Sequence, residues 1–235
     1  MIIIGISSET LALDLACGSG QATIPLADYY SKVIGTDIAK EQISEAPQHP
    51  KISFNVGTAE DIAQVDNSVD LVTVAQAFHW FDFTKSFTEI RRVLKKPGGV
   101  CAVWTYGNPT FSNPVINKKI NEDFYLHLLD GYWSNRRNHV DNEYREIEVE
   151  MRKYFDLCEA VRSGLTIDKQ MTIHDFVRYL SSWSAYTSYR QKNPNSPDPL
   201  EKIEKELVED YQAISSSQII DVSWPIYLLL GGITK

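Results

Sequence analysis

Cysteine is scarce in this chain. Cys17, Cys101 and Cys158 are the three in 235 residues, far apart and without metal-ligand spacing. They read as small core residues in a reducing compartment, so no metal site is expected and the cytoplasm is the expected location. Long hydrophobic runs are missing too. Met1-Ile2-Ile3-Ile4-Gly5-Ile6 is apolar but far too short for a signal peptide or a membrane span, and it has no basic flank. Lysine and arginine form no block, and a net charge of −8 argues against a nucleic-acid backbone as partner. There are no repeats and no low-complexity tract. What remains, 43% hydrophobic and 23% charged residues, suits a globular chain able to bury a full core. The expectation is a single domain over residues 1–235. Its ligand-binding half covers about 8–106, with covering insertions at about 107–156 and 168–215.

The most informative stretch is Leu11-Ala12-Leu13-Asp14-Leu15-Ala16-Cys17-Gly18-Ser19-Gly20-Gln21-Ala22-Thr23. An apolar strand runs into an acid, then small residues, then a helix start. Gly18 and Gly20 let backbone approach a ligand closely, and a following helix points its amide end at the turn. This predicts a nucleotide-cofactor loop at the carboxyl end of a parallel strand. A dinucleotide fingerprint puts glycine where Thr23 stands and has no requirement for Asp14, which disfavours a nicotinamide-dependent oxidoreductase. Asp14 suits a ligand with a cationic end. Asp37 follows about 20 residues beyond the loop, the spacing at which a carboxylate meets ribose hydroxyls.

The first half alternates strand and helix signals. Strands are expected at 11–15, 32–36, 52–56, 69–75 and 100–104, and helices at 21–30, 38–46 and 82–94. Residues 69–75 are mostly apolar, as a central strand buried on both faces should be. This alternation predicts an α/β protein with a doubly wound parallel sheet. Gly57-Thr58-Ala59-Glu60-Asp61 follows the third strand and reads as a ligand loop, a helix start, or both. Ala75-Gln76-Ala77-Phe78-His79-Trp80-Phe81-Asp82 follows the fourth, where open parallel sheets bind ligands. The second half predicts helices at 115–129, 142–153, 172–189 and 199–214, and strands at 157–167 and 218–230.

Asp14-Leu15-Ala16-Cys17-Gly18-Ser19-Gly20 resembles the first motif of the class I S-adenosylmethionine-dependent methyltransferases, with Ala16 in place of the first glycine. Phe78-His79-Trp80-Phe81-Asp82, Leu129-Asp130-Gly131-Tyr132-Trp133 and the aromatic-rich residues 176–186 are similar to the fungal trans-aconitate methyltransferase group. The resemblance runs from about Leu11 to Leu230. It implies a Rossmann-like, doubly wound, mostly parallel seven-stranded sheet with helices on both faces and an antiparallel last strand. It also implies S-adenosyl-L-methionine as cofactor and methyl transfer to a small molecule, most simply O-methylation of a carboxylic acid.

The implied cofactor residues are Asp14, Ala16, Cys17, Gly18 and Gly20 at the loop, Asp37 and Ile38 at the ribose, and Ala59, Glu60, Gln76 and Ala77 along the adenine side. His79 and Trp80 are expected to face the transferred methyl. Tyr106, Tyr132, Trp133 and Trp183 are candidates to line the acceptor pocket, with Arg136, Arg137 or Arg178 as the cation for a carboxylate. Neither nucleic acid nor membrane is expected as partner, and the chain is expected to be a monomer or homodimer. The resemblance implies a few dozen residues before the first strand, and about ten stand here, so either a truncated chain or a more open cofactor pocket is expected. The alternative is a weakly active or non-catalytic binding protein on the same fold.

Overall fold

The computed structural model describes residues 10–235, so the apolar residues 1–6 lie outside the described residues. In chain order the elements are β1 (Leu11–Leu15), α1 (Thr23–Leu26), β2 (Lys32–Asp37), α2 (Lys40–Ser44), β3 (Ile52–Val56), β4 (Leu71–Ala75), a 3₁₀ turn at Phe78–Trp80, α3 (Phe83–Val93) and β5 (Val100–Tyr106). There follow α4 (Pro114–Asn117), a π-helical stretch at Lys118–Leu128, α5 (Arg137–Asp141), α6 (Arg145–Met151), β6 (Leu157–Val161) and β7 (Thr166–Thr172). The chain closes with α7 (Ile173–Ser181), α8 (Ser184–Lys192), α9 (Pro199–Asp210) and β8 (Ile219–Gly232). Its packing divides it into two compact units, residues 10–106, 139–162 and 227–235, and residues 107–138 and 163–226.

The first unit holds the sheet, in the order β3-β2-β1-β4-β5-β8-β6. Strands β3, β2, β1, β4 and β5 pair in parallel, and β8 runs antiparallel to β6. This is the expected Rossmann-like α/β sheet, and its order reverses between β1 and β4, the place where open sheets of this kind bind ligands. Burial explains the central position of those two strands: Leu13, Val72 and Val74 are fully buried. Helix α3 is capped by Asp82, whose carboxylate accepts from the Lys85 N–H at 3.1 Å. It buries Phe87, Ile90 and Val93 on one face. Residues 139–156 pack within this unit. Val140, Tyr144, Ile147, Met151 and Phe155 recur at helical spacing and enter the same core as Leu229 and Ile233.

In the second unit β7 pairs antiparallel with β8, from Thr166 opposite Pro225 to Thr172 opposite Ile219. Several elements differ from expectation, each for a local reason. The strand expected at 157–167 is two strands, interrupted by a turn with Gly164 at φ +80°. The helix expected at 172–189 breaks at Ser182–Trp183. The hydroxyls of Ser181 and Ser182 bond back to the carbonyls of Arg178 and Tyr179, and Trp183 is extended. The helix expected at 115–129 widens after α4. Its buried residues Ile116, Ile120, Phe124 and Leu129 recur at a wider interval than an α-helical turn, and the Leu129 N–H donates to the Phe124 carbonyl five residues back. Helix α1 is only Thr23–Leu26; beyond it bonds tighten to three-residue steps after Pro25. Among the described residues no helix is long and apolar enough to cross a membrane.

Candidate functional site

The loop leaving β1 is shaped by three left-handed residues, Ala16 (φ 52°), Gly18 (φ 56°) and Gly20 (φ 97°). Glycine tolerates that region freely; Ala16 occupies it at a cost of about 1–2 kcal/mol. The turn is pinned from both sides. Cys17 N–H donates to the Thr36 carbonyl at 3.0 Å, and Gly20 N–H to the Cys17 carbonyl at 3.0 Å. Asp37, at the end of β2, accepts from the Gly18 N–H at 2.9 Å and from the Ala39 N–H at 2.8 Å. One carboxylate thus ties the loop after β1 to the turn after β2.

Asp14 lies beneath the loop with no exposed surface. Thr23 Oγ1 donates to one carboxylate oxygen at 2.6 Å and Thr73 Oγ1 to the other at 2.7 Å. Burial raises its pKa from 3.8 to about 6, the two hydroxyls oppose that shift, and the charge of Asp37 adds to it. Asp14 is therefore held within the fold beneath the loop by two threonine hydroxyls. Thr23 and Thr73 were not singled out as site residues. The signal for Thr73 is its register, directly opposite Asp14 on β4. The Cys17 thiol is pushed up to about 12 by burial, with Asp14 and Asp37 adding to the shift, so it stays protonated.

A cavity of about 440 Å³ opens beside this loop. Ala16, Asp37, Ile38, Gly57, Thr58, Ala59, Glu60, Gln76, Ala77 and Trp80 are among its lining residues. Ile38 and Trp80 are 75% and 54% exposed, an unusual state for large apolar side chains that share one cavity. Ala59 buries its methyl in the core. Glu60 Oε1 accepts from the Asp82 N–H at 3.0 Å, linking the loop after β3 to the turn after β4. Gln76 is left-handed (φ 56°), and its side-chain carbonyl accepts from Thr105 Oγ1 at 2.6 Å and the Tyr106 N–H at 2.8 Å.

His79 is 6% exposed and is not among the residues lining this cavity. Its Nδ1 lies 2.8 Å from the hydroxyl of Tyr144, a fully buried residue at the left-handed start of α6, and its ring lies 5.1 Å from that of Trp80. The geometry makes His79 a support behind Trp80.

The acceptor candidates divide. In the second unit Trp133 and Trp183 come together, 5.6 Å between ring centroids, with Tyr125 4.8 Å from Trp133. Arg137 joins them, its guanidinium carbon 5.4 Å from the Tyr125 centroid and 5.2 Å from that of Trp133. Its Nε donates to the Tyr125 hydroxyl at 2.9 Å and its Nη2 to Asn108 Oδ1 at 2.8 Å. Arg178 does not join the group. Its side chain is 73% exposed and faces Asp175 of its own helix at 3.7 Å. Arg136 is exposed. Tyr132 is engaged elsewhere: Asn193 Nδ2 donates to its hydroxyl at 3.0 Å and the Tyr189 ring lies 5.3 Å away. Tyr106 belongs to the first unit.

A methyltransferase-domain profile matches residues 13–103. A Dictyostelium discoideum protein described as a methyltransferase is 34% identical over 222 residues, covering 94% of this chain and 81% of its own length. The chain belongs to the methyltransferase family. A yeast relative from Saccharomyces cerevisiae, named as an S-adenosylmethionine-dependent methyltransferase, is 26% identical across 93% of this chain and 84% of its own. A structure described as a Type II methyltransferase from Anaeromyxobacter dehalogenans superposes with a TM-score of 0.80 at 32% identity, covering 96% of this chain and 91% of that one.

The protein is thus an enzyme, and S-adenosylmethionine is the cofactor of this methyltransferase. The cavity beside the loop fits such a group. It offers a carboxylate for ribose hydroxyls, exposed apolar side chains for a purine face, and a floor that carries a buried acid.

Proposed function

We propose that this methyltransferase methylates a small carboxylic acid, as the resemblance to the trans-aconitate methyltransferase group implies. Arg137 carries the reading. A guanidinium held against two aromatic rings keeps its plane fixed, and its positive charge suits an anionic acceptor. Trp133 and Trp183 supply apolar wall for the rest of a small acceptor. The burial of His79 supports the same choice. A carboxylate is already ionised at neutral pH and needs no base, whereas a phenol or enol benefits from one.

In this reading Asp37 takes the ribose hydroxyls on lone pairs left by its two backbone donors. Ile38 and Ala77 cover the adenine faces, while the Ala59 backbone and Glu60 meet the ring edge. Ala16, Cys17, Gly18 and Gly20 bring backbone close to the methionine end, and the charge of Asp14 below favours its ammonium. When bound, the cofactor supplies an electrophilic methyl on its sulfonium. The chain's own contribution in the first unit is positioning, with Gln76 and Trp80 on the side of the cavity toward the methyl.

The test is incubation of the purified protein with methyl-labelled cofactor and a panel of small di- and tricarboxylic acids. The expected product is an ester whose label is released by base. Arg137→Met is expected to raise KM for the acid by roughly 10- to 100-fold and to leave cofactor affinity unchanged. A base-stable product, or transfer to phenols in preference to acids, overturns the proposal.

A further inference from the structure

We propose that Phe54 is a positioning residue for the cofactor loop, although it is not among the residues lining the cavity beside it. Phe54 lies on β3 directly opposite Gly35 of β2. A Cβ added at Gly35 would stand 2.7 Å from Phe54 Cδ1 and 2.8 Å from Cε1. One added at Gly20 would stand 2.8 Å from Cζ and 3.1 Å from Cε1. The ring edge therefore reaches from the middle of β2 to the last glycine of the loop, across a path open only because both positions lack a side chain. Gly20 has a second reason to be glycine, its φ of 97°; Gly35 is not among the positive-φ residues, so only space explains it. The Cys17 sulfur closes the notch from the loop side, 3.0 Å from where a Gly35 Cβ would be.

The consequence is mechanical. Gly20 anchors the turn, donating to the Cys17 carbonyl and accepting from the Ile24 N–H. That same turn aims the Gly18 N–H at Asp37. With the ring removed, the loop loses its floor, and the Asp37–Gly18 geometry is held only by its own hydrogen bonds. A merely structural role is the competing account, since an aromatic ring laid across a strand glycine also stabilises a sheet pair.

The inference rests on reading Asp14–Gly20 as the cofactor loop, so the experiment separates the two. S-adenosylhomocysteine is titrated calorimetrically into the full chain and into Phe54→Ala, Phe54→Leu, Val33→Ala and Asp37→Ala. Val33 is fully buried on β2 but packs in a separate core cluster with Ala12, Tyr30 and Leu71. The expected result is about tenfold weaker binding for Phe54→Ala and partial recovery for Phe54→Leu, because the loop is displaced by a fraction of an ångström. Val33→Ala is expected to lose thermal stability and keep parental affinity. Should Phe54→Ala fail to fold, Phe54→Leu carries the test, with weakened binding expected. Parental affinity in the folded Phe54 variants, beside weakened binding in Asp37→Ala, overturns the role of Phe54 alone. Parental affinity in Asp37→Ala as well overturns the cofactor-loop reading itself.

Discussion

At Asp14 a carboxylate sits fully buried on two threonine hydroxyls, and burial lifts its pKa from 3.8 to about 6. The folded state therefore holds this proton more tightly than the unfolded chain. Its stabilising effect is complete below about pH 4 and is lost as the pH rises through about 6. Asp14→Asn removes that titration while keeping a side chain of the same shape. Relative to the parent, the variant is expected to gain on the order of 2–3 kcal/mol between pH 4 and 7. Urea unfolding across that range is the check, and a pH-independent difference would mean that Asp14 titrates alike in the folded and unfolded chain. The same variant is expected to bind S-adenosylhomocysteine about tenfold more weakly above pH 6, with the gap closing toward pH 5. The residues around Asp14 show what a sequence can hide. Thr23 stood out only as a missing glycine, yet its hydroxyl holds the acid at 2.6 Å. Ala16 stands where the resembling motif has its first glycine, and its cost is a left-handed backbone.

At the scale of elements, Arg92 on α3 organises the segment that follows the loop after β3. Its Nη1 donates to the Gln64 carbonyl at 2.8 Å and to Asp66 at 2.7 Å. Its Nη2 donates to the Ile62 carbonyl at 2.7 Å and to Glu89, while Glu89 also accepts from the Ile62 N–H at 2.9 Å. Residues 57–64 form no helix or strand, so these bonds substitute for a regular ladder. Arg92→Gln is expected to lower stability by about 2 kcal/mol, leaving carbonyls and Glu89 short of partners. Cofactor binding is expected to weaken several-fold as the Ala59–Glu60 loop loosens, measurable by calorimetry. An unchanged affinity would place the loop's order in its own packing. The element type of the strands and of α3 was readable because periodicity and burial agree there. The breaks were not. At Ser182–Trp183 the two serine hydroxyls bonded back to the helix are a local signal, but the packing of the Trp183 ring, 5.9 Å from Phe124 and 5.8 Å from Tyr179, is not announced by the sequence.

For the whole molecule, the first unit is assembled from three separate stretches of chain. Its core takes Val140, Tyr144, Ile147, Met151, Phe155, Leu229 and Ile233 from beyond β5. A fragment of residues 1–106 retains the β1–β5 motifs but is expected to remain without a cooperative thermal transition, because those side chains are worth roughly 1.5–3 kcal/mol each when buried. Circular dichroism on heating is the check, and a sharp transition would show that the cofactor half folds alone. The sequence by itself determined the sheet, the loop after β1 and the placing of Asp37, because hydrophobic alternation, glycine and an acid at a set spacing act locally. Only the tertiary structure decided that Asp14 is a buried brace, that His79 stands behind Trp80 on Tyr144, and that Arg137 rather than Arg178 joins the tryptophans. Those outcomes depend on which side chains, far apart along the chain, compete for the same buried space and the same hydrogen-bond partners.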